Sequence, residues 1–173
     1  MNSRSALAAS FAATLLLAGG CGDDSKPQPG PAPAETSASQ AADKLISYGD
    51  EGVRIRSTSD VAKLKDAPDS FKDYMAAEIE ELIMLDEDLG RPEGCDEPPT
   101  VLVKAVHTSG YASGAFIRCG GAASIWAVIG GGWREVWSGQ EIPPCEDLHR
   151  LGVPNGIADT CRDGKDEVPY DRG

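Results

Sequence analysis

The chain has 173 residues, with 28 Asp and Glu against 16 Lys and Arg, so its formal net charge is −12 at pH 7. Phosphate backbones require clustered bases, whereas Lys63, Lys65, Arg118 and Arg134 are scattered among carboxylates. Nucleic acid is therefore not expected as a partner. The negative charge also argues against direct adsorption of the protein surface to anionic lipid.

The N-terminus has the pattern of a cleavable export signal over residues 1–20. Arg4 precedes an apolar run that is too short to span a membrane and ends in small residues. The string Leu17-Ala18-Gly19-Gly20-Cys21 resembles the lipobox of bacterial lipoproteins, with Ala18 in place of the usual larger apolar residue. This resemblance implies that Cys21 carries diacylglycerol and anchors the mature protein on the extracytoplasmic face of the cell membrane. An ordinary secreted protein is the alternative.

The segment that follows predicts a disordered tether over residues 21–42. It is rich in Ala, Ser and Gln, and Pro27, Pro29, Pro31 and Pro33 recur at every second position, so it cannot bury a core. Residues 43–173 remain, and their number fits a single domain.

Four further cysteines predict two disulfides, because thiols oxidise outside the cytoplasm. Their long spacings do not favour a zinc site, and we expect no metal or cofactor. Four cysteines allow three pairings, and the sequence does not decide among them. We favour Cys95 with Cys119 and Cys145 with Cys161, because these two loops do not cross.

The clearest helix is predicted over residues 68–89. Phe71, Met75, Ile79 and Leu82 recur at three- and four-residue intervals and form one apolar stripe. A short strand near residues 53–56 is expected before it, and then a short helix that follows the capping residues 57–60 and ends near Pro68. The helix ends in many acids, an arrangement that is unfavourable at a helix C-terminus.

Residues 100–141 are rich in β-branched and aromatic residues that are punctuated by glycine. They predict four strands at about 100–108, 111–119, 123–129 and 133–138, which the short turns make an antiparallel meander. The fold class expected is therefore α+β, with a long N-terminal helix packed on a four-stranded sheet. A short helix follows Pro143-Pro144, and residues 163–173 are expected to fray.

Three tryptophans are the best candidates for a binding surface. Trp126 lies on the opposite strand face from Ile125 and Ala127, whereas Trp133 and Trp137 are an even number of residues apart. Either the indoles fill the core or they form an outer platform, and core packing is favoured.

No catalytic set emerges from the motifs. Gly110-Tyr111-Ala112-Ser113-Gly114 has its serine one place late for a nucleophile elbow and lies in a predicted strand. His107 and His149 are the two histidines, and neither is adjacent to a recognisable nucleophile. We therefore expect no catalytic residues.

Several segments are similar to uncharacterised secreted proteins of high-GC Gram-positive bacteria. The similarity lies in the segments 59–64, 67–72, 109–114, 133–137, 139–145 and 153–154. It implies an envelope context and carries no known activity.

The function expected is a lipid-anchored, non-enzymatic binding or adaptor protein that recognises an unknown envelope protein or component. A secreted-enzyme inhibitor is the alternative, and a small extracellular hydrolase is the third possibility.

Overall fold

The computed structural model describes residues 43–91 and 93–173. A six-stranded, wholly antiparallel sheet forms its centre. Its strands are β1 (Leu45–Ser47), β2 (Val53–Ile55), β3 (Thr100–His107), β4 (Tyr111–Ile117), β5 (Gly121–Ile129) and β6 (Gly132–Gly139). β1 and β2 lie end to end along one edge of β3, and β4, β5 and β6 follow in chain order.

One face of the sheet, here called the helix face, is covered by helix α1 (Asp69–Leu89) and by a 3₁₀ helix over Thr58–Lys63. The four-residue spacing of Phe71, Met75 and Ile79 places all three side chains on the sheet, and all three are fully buried. They pack with aliphatic and aromatic side chains of the strands, among them Val101, Val103, Val106 and Trp126.

The other face, here called the open face, receives the C-terminal segment. This segment contains helix α2 (Cys145–Leu151) and a hairpin of β7 (Thr160–Asp163) and β8 (Asp166–Pro169). Its buried side chains pack against Ala105 and Ile125 of the sheet. The hydroxyl of buried Tyr170 donates a hydrogen bond to the carbonyl oxygen of Val153 at 2.7 Å, which fixes the chain beyond the hairpin.

Two disulfides are present, and they join the pairs favoured from the sequence. Cys95–Cys119 links the loop after α1 to the turn between β4 and β5. Cys145–Cys161 links the start of α2 to β7. Each bond therefore fastens one of the two layers that flank the sheet.

The predicted architecture of a long N-terminal helix on a four-stranded meander is wrong. Two strands precede α1, the sheet has six strands, and more of the described residues lie in strands than in helices. The short strand expected near residues 53–56 is found as β2, but its place in the sheet was not predicted. β1 contains three residues, too few to show a recognisable alternation. The C-terminus also differs, because residues 163–173, which were expected to fray, include β8. Gly164, with φ at +62°, allows the two-residue turn Gly164-Lys165 that joins β7 to β8.

Candidate functional site

The three tryptophans do not form one surface. Trp126 is fully buried on the helix face, with its ring centroid 5.6 Å from Phe116 and 6.3 Å from Phe71. Trp133 lies on the same face, where its ring centroid is 4.7 Å from that of Phe71. Its indole N–H donates to the hydroxyl of Ser70 at 3.2 Å. These two indoles therefore belong to the packing beneath α1.

Trp137 lies on the open face instead, because β6 contains a bulge. Ile125 pairs with Trp137 and Trp126 pairs with Glu135, so Val136 is an extra residue in the ladder. An extra residue reverses the alternation of side chains beyond it. The even spacing of Trp133 and Trp137 would have placed both on one face, and the bulge separates them.

A cleft of about 530 Å³ lies where the C-terminal segment leaves the open face uncovered. Its floor comes from β3, β4 and β5, and its walls come from the loop after β1, from β6 and from the segment that leads into β7. The floor includes Ser113, Ala115 and Ala123, and the walls include Asp50, Trp137 and Asp159.

The cleft exists because the floor residues are small. Ala115 and Ala123 face each other across β4 and β5, and their methyl groups leave space that larger side chains would fill. Gly114, beside them, allows close approach of β3, because a Cβ atom there would clash with the carbonyl oxygen of Leu102. The ring of Trp137 packs over Gly139 and so lies along the sheet at the far side of the cleft.

The cleft combines small apolar side chains with several polar groups. Asp50 and Asp159 supply carboxylate acceptors, Lys104 supplies an ammonium donor, and Ser113 supplies a hydroxyl group. This set can hold a ligand that has an apolar face and several hydrogen-bond donors. The signal that was available in the sequence is the run of small residues at 112–115 and 122–124, which leaves a gap in an otherwise β-branched sheet.

The sequence-level candidates for catalysis are not brought together. Ser113 lies in the cleft floor, whereas His107 and Ser109 lie at the end of β3. His107 Nδ1 is 2.7 Å from the Ser109 hydroxyl, and the Ser109 backbone N–H donates to the same nitrogen at 3.3 Å. These two contacts within three residues close the β3–β4 turn. His149 packs against Tyr170, with ring centroids 5.3 Å apart and the ring planes tilted by 57°.

The C-terminal end of α1 carries the best-connected charges of the described chain. Asp86 is almost fully buried and accepts hydrogen bonds from Arg91 Nε at 2.7 Å and Arg118 Nε at 3.1 Å. The hydrogen bond from Arg91 is the main cause that lowers the pKa of Asp86, and Arg118 adds to it. Asp86 is therefore a structural anion rather than part of an open acidic site.

A second carboxylate on α1 has the opposite behaviour. Partial burial against β6 raises the pKa of Glu78, and the neighbouring charges of Glu81 and Glu135 raise it further. Its hydrogen bond with Tyr74 only partly compensates. The junction of α1 and β6 thus holds three acids close together.

No protein-family model, curated protein or solved structure matches this chain. Cys21, the predicted lipidation site, lies outside the described residues. Over residues 43–91 and 93–173, no helix is both long enough and apolar enough to cross a membrane.

Proposed function

We infer that this protein is a lipid-anchored extracytoplasmic binding protein that holds a sugar-containing envelope component in the cleft of the open face. The observation that carries this inference is the cleft itself, where a central sheet is left uncovered beside an indole ring and two carboxylates. The lipobox-like string before Cys21 and the proline-rich tether support the location.

The chemistry of the cleft supports a sugar-like ligand. The ring of Trp137 and the methyl groups of Ala115 and Ala123 offer apolar surface to the C–H face of a sugar ring. Asp50 and Asp159 can accept hydrogen bonds from ligand hydroxyl or amino groups. A few polar groups placed around an apolar surface are typical of small-ligand sites.

The arrangement of the floor also favours an elongated ligand. The cleft crosses β3, β4, β5 and β6, whose neighbours in a sheet are about 4.8 Å apart, so it extends over roughly 15 Å. The segment 156–160 bounds the cleft and has polar side chains at exposed Asp159 and half-buried Thr160. A short oligosaccharide can contact the whole floor, whereas a single ring would leave part of it empty.

A titration followed by backbone NMR tests the cleft. The full-length chain with Cys21→Ala, which needs no detergent, is titrated with defined oligosaccharides, including amino sugars, and with short peptides as a comparison class. We expect an oligosaccharide to shift the amides of Ser113, Ala115, Ala123 and the indole N–H of Trp137. A response to peptides alone would overturn the sugar assignment, and no response to either would overturn the cleft as a site.

Two tryptophan substitutions separate occupancy of the cleft from general effects. Ala123→Trp fills the floor and should weaken oligosaccharide binding at least tenfold. Ala77→Trp adds the same ring at an exposed position of α1 and should leave binding unchanged. Equal affinity of both variants for the oligosaccharide would contradict the proposal.

The anchor is tested independently, because Cys21→Ala should release the protein from membranes, and continued membrane retention would contradict lipid anchoring.

A further inference from the structure

Three of the largest exposed apolar side chains lie together in the last two turns of α1. Met84 is 54% exposed, Leu85 is 44% exposed and Leu89 is 68% exposed. Leu85 and Leu89 are four residues apart and therefore lie on one line along the helix surface, with Met84 beside them. These residues contribute little to the core, in contrast to Met75 and Ile79 earlier in the same helix.

Carboxylates are interleaved with these apolar side chains. Glu81 lies three residues before Met84 and four before Leu85, and Asp88 lies four residues after Met84 and three after Leu85. Residues three and four apart are neighbours on a helix surface, so each acid lies next to both Met84 and Leu85. We call Glu81, Met84, Leu85, Asp88 and Leu89 the α1 end surface.

Stability does not explain the composition of the α1 end surface. Negative charge near a helix C-terminus interacts unfavourably with the helix dipole, and the last turn of α1 contains no basic residue. The exposed parts of Leu85 and Leu89 add no apolar burial to the folded state. Both features are instead those of a surface whose apolar residues are covered by another molecule of opposite charge.

The helix end that carries this surface is held rigidly. Buried Asp86 is paired with Arg91 and Arg118, and Arg118 Nη2 also donates to the carbonyl oxygen of Gly90 at 3.1 Å. The disulfide at Cys119 fastens the loop after the helix to the residue that follows Arg118. A partner would therefore meet a preorganised surface and would not have to order it.

The position of the surface fits an encounter away from the membrane. The described chain begins beside β1, where Lys44 N–H donates to Thr108 at the end of β3. The Asp86–Arg118 pair lies at the opposite end of the sheet, beyond β4. Seven residues of strand at about 3.4 Å each separate these ends by roughly 20 Å.

We propose that the α1 end surface docks a basic amphipathic helix of a partner protein, whose leucine-like side chains contact Met84, Leu85 and Leu89 and whose Lys or Arg side chains pair with Glu81 and Asp88. Charge decides among the occupants. A second copy of this chain would place carboxylates against carboxylates, and an anionic membrane would be repelled. The chain's own segment 22–42 contains Lys26 but also Asp23, Asp24 and Glu35, so it offers no matching basic face.

The test uses two synthetic helical peptides of identical leucine pattern, one with lysine and one with glutamate at the polar positions. Binding to the full-length chain carrying Cys21→Ala is measured by calorimetry. We expect the lysine peptide to bind, with an affinity that falls as salt is raised, and the glutamate peptide not to bind. Equal binding of both peptides, or of neither, would overturn the proposal.

Matched variants distinguish the α1 end surface from general attraction to an acidic protein. Leu85→Ser with Leu89→Ser leaves all charges in place and should weaken lysine-peptide binding about tenfold or more, because the buried apolar area is lost. Val128→Ser with Ile129→Ser removes two side chains that are 40% and 45% exposed elsewhere, and it should have no effect. Similar affinities of these two double variants would contradict the proposal.

Charge reversal gives a test with a gain of binding. Glu81→Lys with Asp88→Lys should transfer preference to the glutamate peptide, because the same leucines would then be framed by cations. Both positions are exposed, and retention of the circular dichroism spectrum and melting temperature confirms folding. Continued preference for the lysine peptide would overturn the assignment. Sedimentation of the protein without peptide tests the remaining occupant. If the protein dimerises through Leu85 and Leu89 even though it binds the lysine peptide, a second copy is the occupant and the proposal fails.

Discussion

The two faces of the central sheet are built from different kinds of residue. On the helix face, Trp126, Phe71 and Met75 are fully buried and interlock under a helix of 21 residues. On the open face, the C-terminal segment packs on Ala105 and Ile125 but does not cover Ala115 and Ala123, which form the floor of the cleft. Both layers are fastened by one disulfide each.

The difference separates stability from binding within one sheet. Large side chains fill the helix face completely, so most of the apolar burial that stabilises the fold lies there. Small side chains on the other face give up burial and leave room for a ligand. The bulge at Val136 divides the aromatic residues of β6 between the two faces. It places Trp133 on the helix face and Trp137 in the cleft.

The largest expected effect comes from truncation on the helix face. Trp126→Ala should lower the free energy of unfolding by about 3–5 kcal/mol, because the cavity lies among buried Phe71 and Phe116 and cannot collapse. Trp137→Ala is the matched control on the open face and should cost clearly less, because Trp137 is only half-buried. Urea unfolding of both variants measures the contrast, and equal losses would contradict the assignment of stability to the helix face.

A second prediction concerns the layer on the open face. Cys145→Ala with Cys161→Ala opens a loop of 16 residues, and the chain-entropy model gives a loss of about 3 kcal/mol. We expect the loss to be local, with faster amide exchange at Leu148, Val153 and Tyr170 while α1 remains protected.

The other disulfide supplies the control for that experiment. Cys95→Ala with Cys119→Ala should instead accelerate exchange at the end of α1 and around Arg118, because this bond fastens that end of the helix. If both double variants gave the same exchange pattern, the two layers would not be independently fastened.

Sequence patterns predicted the individual elements of this fold better than their assembly. The helix predicted at 68–89 is found at Asp69–Leu89, and the four predicted meander strands correspond to β3–β6. Long elements with strong periodicity are specified locally. β2 was predicted as a short strand near residues 53–56, whereas β1 was not predicted. The pairing of both strands with β3 is a long-range contact that segments of three residues do not indicate.

The cleft was harder to predict than the fold. Ser113, Ala115 and Ala123 carry no chemical signature, and they form a site because the C-terminal segment covers only part of their face. The three tryptophans are easily recognised in the sequence, but whether Trp133 and Trp137 share a face of the sheet depends on one extra residue in β6. Bulges arise from pairing between strands, so the alternation of a single strand does not reveal them.

The smallest expected effect tests whether a charged group on the helix face, Glu78, lowers the stability of the fold. Partial burial and neighbouring acids raise the pKa of Glu78, so its protonated form is favoured by folding. Its contribution is present below the ordinary glutamate pKa and is lost as pH rises through the folded pKa. At pH 7 the charged form therefore opposes folding, and Glu78→Gln should raise the melting temperature at that pH.

The pH dependence distinguishes this cost from a general effect of removing charge. At about pH 3 the glutamate is protonated in both states, so Glu78→Gln and the wild-type protein should melt together. Glu80→Gln removes one charge from an exposed position of the same helix and should produce a smaller change at pH 7. A gain for Glu78→Gln that persisted at pH 3 would show that packing, rather than the charge beside Glu81 and Glu135, limits stability at the junction of α1 and β6.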